Sequence, residues 1–407
     1  MSADTLFRRI TDYAHRADPY PLYAELREAG VARQGDGSYL VGNYHDIAAL
    51  LHDPRISSDR RNRVTPDGTG TGEDLPPSFI GLDDPEHHRL RGLAMRSFGP
   101  PHTPGRIDSL QGEMARIVAD LLDGFRDKDR IDIVDDFAYP LPVTVICRLL
   151  GVPTEDEPQF RGWSDAIVSG FDPTPGEDPA ERARAASEAR KAMGLYLGEL
   201  AERRRGHPSD DMLSAFVTGG AEAGAGLTPL EIMTTSVLLL IAGHETTVNL
   251  ITNGVLTLLR HPGQLARLRD DPALMPRAVE ELLRYEPPVQ MLPQRTPLTD
   301  IEVSGVTVPK GSPLILVLAS GNRDPKRFDD PDRFDPARED NQHLGFGSGV
   351  HSCFGAPLAR LEAQIALTGL LRHLDGPRLV EDPPPYRSSP VLRGPRHLLV
   401  ERDRAGA

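Results

Sequence analysis

Cysteine is nearly absent from this sequence. The chain has two, Cys147 and Cys353, among 407 residues and in unlike contexts, so neither a disulfide framework nor a zinc cluster can be built from them. A reducing cytosol fits that scarcity. Cys147 lies in the apolar stretch 143–150 and reads as a small buried hydrophobe with no chemistry. Long hydrophobic runs are missing too: residues 1–10 are polar and charged, and no run approaches the roughly 20 apolar residues of a membrane span. The expected location is the cytoplasm, without membrane contact. Positive charge is in deficit, with 46 Lys and Arg against 60 Asp and Glu for a net charge of −14, which argues against a general nucleic-acid binder. No charge run, low-complexity linker or internal repeat divides the chain. One large domain over 1–407 is therefore expected.

Helical spacing of apolar residues dominates what is there. Segments 106–125, 179–205, 229–260, 274–285 and 357–373 carry apolar residues three and four apart. Strand-like segments are few and short: 38–41, 301–303 and 306–308 around a Ser-Gly turn that reads as a hairpin, and 314–318. The fold class is mainly α with small β-sheets. Gly- and Pro-rich stretches at 64–78, 170–179 and 219–226 read as loops. The helix predicted to start after Thr228 has a cap residue, a proline at its first position and Glu231 as a capping-box acid, and His261-Pro262 stops it. At roughly 45 Å it is long enough to cross a domain. Its middle, 237–243, is apolar nearly all round, as in a core helix. Glu245, Thr246 and Thr247 are out of place there.

The strongest chemical signal is Phe346-Gly347-Ser348-Gly349-Val350-His351-Ser352-Cys353-Phe354-Gly355, which leads directly into a helical segment. Free amides and the dipole at a helix start favour a negative sulfur, and the glycines let backbone approach a flat group closely. From the residues alone, a metal-bound thiolate, a nucleophilic thiolate and an inert core cysteine are all open. On the long helix, a mid-helix Thr246 can bond back to the carbonyl of Ala242 and open a local distortion. Leu238, Ile241, Ala242, Glu245 and Thr246 share one helical face. Asp84 and Pro85 open a further helix that places His87 and Arg91 four residues apart on one face, with His88 turned away.

The cysteine segment resembles the haem-binding loop of cytochromes P450 at every defining position. Other segments agree in the order that family requires: Ala242 to Thr247 looks like its oxygen-activation segment, and Glu281-Leu282-Leu283-Arg284 matches its Glu-x-x-Arg signature. Joined to 328–334, the latter resembles the family's buried Glu-Arg-Arg element, a structural feature. The resemblance runs from about Tyr20 to near Gly394. It implies a triangular helical prism around a buried haem b, with Cys353 as thiolate ligand to the iron and so the metal ligand. It implies that His87, Arg91, Arg295 and His351 bind the haem propionates and that Ala242 lies against the cofactor. Thr246 and Glu245 would be catalytic, relaying protons during dioxygen activation; for Thr247 simple helix packing is expected.

The same resemblance places substrate-pocket walls at 64–82, around 160–189, and at Leu238, Ile241, Ala242, Val289, Met291, Leu292, Val391 and Leu392. Mostly apolar and poor in aromatics, they suit a hydrophobic small-molecule substrate such as a secondary metabolite. The implied activity is a monooxygenase that inserts one atom of dioxygen. No Gly-rich dinucleotide motif follows a strand, so electrons are expected from ferredoxin and an NAD(P)H-dependent ferredoxin reductase, docking at Arg89, Arg96 and Arg360. Two alternatives stay open at this point, a peroxide-driven haem-thiolate oxidase and a non-catalytic haem-binding protein. The intact acid-alcohol pair speaks against the first.

Overall fold

The computed structural model describes residues 3–64, 76–99, 103, 105–169, 179–219 and 226–403. The loops expected at 64–78, 170–179 and 219–226 fall almost wholly outside these residues. The chain forms two compact units, the first of Met1–Gly68, Ala115–Tyr139 and Thr246–Ala407, the second of Thr69–Met114 and Pro140–Glu245.

The first unit holds all ten strands found among the described residues: β1 (Val31–Arg33), β2 (Tyr39–Val41), β3 (Ile56–Ser57), β4 (Arg130–Asp132), β5 (Leu292–Pro297), β6 (Ile301–Val303), β7 (Val306–Val308), β8 (Leu314–Leu316), β9 (Arg378–Leu379) and β10 (Leu399–Glu401). They form a five-stranded sheet in the order β1-β2-β8-β5-β3, a three-stranded sheet β4-β10-β9 and the hairpin β6-β7. β2 and β8 run parallel and are covered on both faces, as parallel pairs usually are. Alternation then splits their side chains between two cores. Leu40 and Ile315 join Ile10, Leu22, Leu26 and Val317, while Val41, Leu314 and Leu316 join Ile47, Leu51, Phe328 and Leu344. The hairpin turns through Ser304 and Gly305, both at positive φ (46° and 79°), as a tight two-residue turn requires.

The described part of the second unit is helical, with helices Glu86–Phe98, Pro140–Leu150, Glu157–Ser169, Pro179–Gly206 and Met212–Thr218. The long helix Pro229–Arg260 begins here, and its predicted capping box is present. The Thr228 N–H donates to Glu231 Oε2 at 2.8 Å, and the Glu231 N–H donates back to Thr228 Oγ1 at 3.3 Å. Segment 106–125 is a correction. It is a short helix Arg106–Ser109 followed by Gln111–Asp123, with Leu110 between them bonding back to Ile107 and Asp108 carbonyls. Helical spacing alone does not register such a tightened turn. The run 314–318 likewise divides, since the chain leaves β8 and enters the short helix Leu318–Gly321.

Candidate active site

Cys353 belongs to the first unit and stands three residues before the helix Ala356–His373. The loop before it folds back on itself: the Gly347 N–H donates to the Leu344 carbonyl and the Cys353 N–H to the Phe346 carbonyl, both at 2.8 Å. Gly349 has φ +71°, and a Cβ there would fall 2.1 Å from the Leu51 carbonyl oxygen. No residue with a side chain fits that position. The turn Gly349–His351 carries His351 two residues from the sulfur, and Cys353 itself is exposed. Cys147 is its opposite, fully buried, with its thiol pushed up to about 12 by burial and then by Glu157.

Charged side chains fix this loop in place. Arg360, on the first turns of the following helix, donates to both oxygens of Glu280 at 2.6 and 2.9 Å, and His343 Nε2 lies 3.1 Å from the same carboxylate. Burial alone would raise the Glu280 carboxyl, but His343 and Arg360 overcome it and bring it down to about 2. The Arg360 guanidinium also lies over the Phe346 ring, 4.6 Å from its centre. Its pKa is raised first by its bond to Glu280, with a smaller contribution from Cys353. Beside this, Glu281 receives two 2.8 Å bonds from Arg284, both side chains fully buried. The second arginine on Glu281 is Arg338, at 3.2 Å. It lies beyond the segment 328–334 singled out in the sequence, where Arg333 is exposed and pairs with Asp335. The Asp335 N–H and Asn341 complete the coordination of Glu281, as a buried charge requires.

Arg295 also lies in the first unit, on β5 and largely buried. Val289 and Leu392 are brought together by a bridge, flanked by bonds from Gln290 N–H to Val391 O and from Arg393 N–H to Pro288 O, each 2.8 Å. Val289, Leu292, Val391 and Leu392 keep partial exposure, as the wall of a cavity would. Met291 is a correction. At 1% exposure it points into the core with Leu22, Tyr23 and Ile315, because neighbouring residues entering a strand face opposite ways.

In the second unit, His87 and Arg91 sit on one face of the helix Glu86–Phe98. His87 is buried with Nδ1 3.3 Å from Asp84, and its pKa is lowered, first by burial and then by Arg91. His88 is exposed, as expected. Leu238 and Ile241 are partly exposed and Ala242 is exposed on the long helix. Glu245 is 1% exposed and lies 3.1 Å from Nε2 of His244, which also meets Ser164 Oγ at 2.8 Å. The sequence motif contains His244, yet nothing in its spacing pointed to Ser164, 80 residues away. Thr246 and Thr247 open the first unit's share of this helix. Thr247 is buried and bonds to Glu362.

The Cytochrome P450 family model matches residues 31–401. Cytochrome P450 monooxygenase PikC of Streptomyces venezuelae is 43% identical over 395 residues, covering 94% of this chain and 91% of that protein. The 6-deoxyerythronolide B hydroxylase of Saccharopolyspora erythraea is 38% identical over 402 residues, covering 95% and 96%. Among solved structures, ligand-free CYP164A2 of Mycobacterium smegmatis superimposes with a TM-score of 0.89 at 41% identity, covering 98% of this chain and all of that one. Fold and glycine-framed cysteine together define a haem-thiolate enzyme. The chain belongs to the cytochrome P450 family and is a haem-thiolate monooxygenase. Its residues fit that cofactor: an exposed sulfur just before a helix start, and a backbone loop whose Gly355 would have no neighbour within 4 Å of an added Cβ.

Proposed function

We propose that this P450 hydroxylates or epoxidises a bulky apolar secondary metabolite of macrolide or terpenoid type, with Cys353 as its haem ligand. The observation that carries the substrate reading is the make-up of the candidate walls. Val289, Leu292, Val391 and Leu392 of the first unit are aliphatic and partly exposed, as are Leu238 and Ile241 of the second, so each group by itself offers apolar contact without aromatic stacking. The name of the 6-deoxyerythronolide B hydroxylase points the same way.

When bound, the haem supplies thiolate-assisted dioxygen activation. The amides and dipole at the start of the helix after Cys353 would favour its sulfur as an anion. Arg295 and His351 of the first unit are candidates to bind the propionates as cations or N–H donors, and His87 and Arg91 of the second are candidates for the same role. Glu245 would hold a proton and Thr246 pass it on, a general-acid role that requires both on one helix. Ferredoxin, reduced by an NAD(P)H-dependent reductase, would supply electrons in the cytoplasm. Among the described residues no helix is long and apolar enough to cross a membrane.

A panel of macrolactones, terpenoids and fatty acids, each titrated into the ferric enzyme, tests the substrate reading through the haem spin state. Macrolactones or terpenoids should give the largest low-to-high-spin conversion at the lowest concentration. A panel in which fatty acids alone shift the spectrum would overturn this reading.

A further inference from the structure

Ser164, His244 and Glu245 are each 1% exposed, and the acid-alcohol reading of the long helix gives a task to Glu245 alone. Their geometry restricts where protons sit. His244 Nδ1 lies 2.7 Å from the Leu240 carbonyl oxygen, which can only accept, so Nδ1 carries a proton. Nε2 then decides the charge of the ring. It has two oxygens close by, Ser164 Oγ at 2.8 Å and Glu245 Oε1 at 3.1 Å. A bare Nε2 and an ionised carboxylate at that separation would set lone pair against lone pair in a buried place, a costly arrangement. One proton between them removes the conflict. It rests on Nε2, giving an imidazolium and a carboxylate, or on Glu245, giving a neutral pair.

We propose that His244 and Glu245 share one buried proton, with Ser164 holding the imidazole in register, and that His244 is the positioning residue for the acid. The inference rests on the reading of Glu245 as proton donor. The balance is simple. When Glu245 releases the proton, the pair is left as neutral imidazole and carboxylate, the Ser164 hydroxyl donates to the bare Nε2, and one proton from solvent restores the starting state. Because Ser164 lies on the helix Glu157–Ser169, a shift of that helix changes how firmly Nε2 is held. The acid's readiness is thereby tied to the position of a second helix.

The test uses the haem-loaded enzyme labelled with nitrogen-15 at histidine, in its diamagnetic ferrous carbonyl form at neutral pH. His244 signals are assigned by their loss in His244→Gln. We expect a protonated Nδ1 and either a protonated Nε2 or a protonated-carboxyl infrared band that disappears in Glu245→Gln. Ser164→Ala should move the Nε2 resonance and leave Nδ1 in place. His244→Gln should lower product formed per NADH by about threefold or more, while ligand affinity stays within about twofold. A bare Nε2 with no Glu245-dependent carboxyl band overturns the shared proton, and unchanged product per NADH in His244→Gln overturns the positioning role. Unchanged product in Glu245→Gln would instead refute Glu245 as the donor, an outcome the spectra read separately.

Discussion

Thr246 keeps partial exposure between two nearly inaccessible neighbours, Glu245 at 1% and Thr247 at 2%. Within an apolar helix that difference singles out one threonine as reachable by a small molecule. Thr246→Ala should retain the carbonyl spectrum and ligand affinity but divert electrons into hydrogen peroxide, lowering product per NADH by about tenfold, less than the roughly hundredfold or more a lost proton-transfer group costs in rate because water can supply part of the proton path. Equal hydrogen peroxide and product yields in variant and parent would show that Thr246 only packs. At this scale the sequence was legible where residue types are confined by chemistry: Gly349, whose positive φ and close approach to Leu51 admit only glycine, and the cysteine it frames. It was illegible for Met291, whose apolar side chain serves a core as well as a pocket. His244 shows the same ambiguity in another form, since its partner Ser164 comes from a distant helix.

Glu362 shows what a helix can bury without announcing it. It sits on the helix Ala356–His373 at 1% exposure, bonded to Thr247, and its Oε2 meets no partner among the described residues. Burial pushes its carboxyl up to about 8, which the Thr247 bond only partly offsets. The folded state therefore binds this proton more tightly than the unfolded chain, so stability is fullest below the ordinary carboxyl range near 4.5. It is lost as pH rises toward 8, by up to roughly 1.4 kcal/mol per unit. Glu362→Gln removes that titration, and its melting temperature at pH 8 should exceed the parent's by a few degrees, with little difference at pH 5. Parallel melting curves for the two proteins from pH 5 to 8 would contradict a neutral Glu362. The long helix was readable to its capping box because caps are local chemistry. The break at Leu110 was not, because apolar spacing does not register a tightened turn, nor was the arrival of Arg338 at Glu281, which joins segments 57 residues apart.

For the whole molecule, a net charge of −14 means that an acidic electron donor must find a local positive patch. Two of the three arginines expected there have structural duties: Arg89 pairs with Glu231 and Arg360 with Glu280. Reversing them would break those pairs and disturb the cysteine loop, so they cannot report cleanly on docking. Arg96 is exposed on the helix Glu86–Phe98. Arg96→Glu should raise the apparent KM for ferredoxin about threefold at low salt, and the difference should fade once screening shortens to a few ångströms. Equal KM values at low salt would remove Arg96 from the docking face. The central claim is that Cys353, held by its glycine loop at a helix start, is the thiolate ligand. Its most direct measurement is the carbonyl difference spectrum of reduced parent and Cys353→His proteins. The parent should show the red-shifted Soret band of thiolate ligation and the variant the unshifted band of a histidine-ligated haem. A variant that kept the parent's spectrum would contradict the assignment.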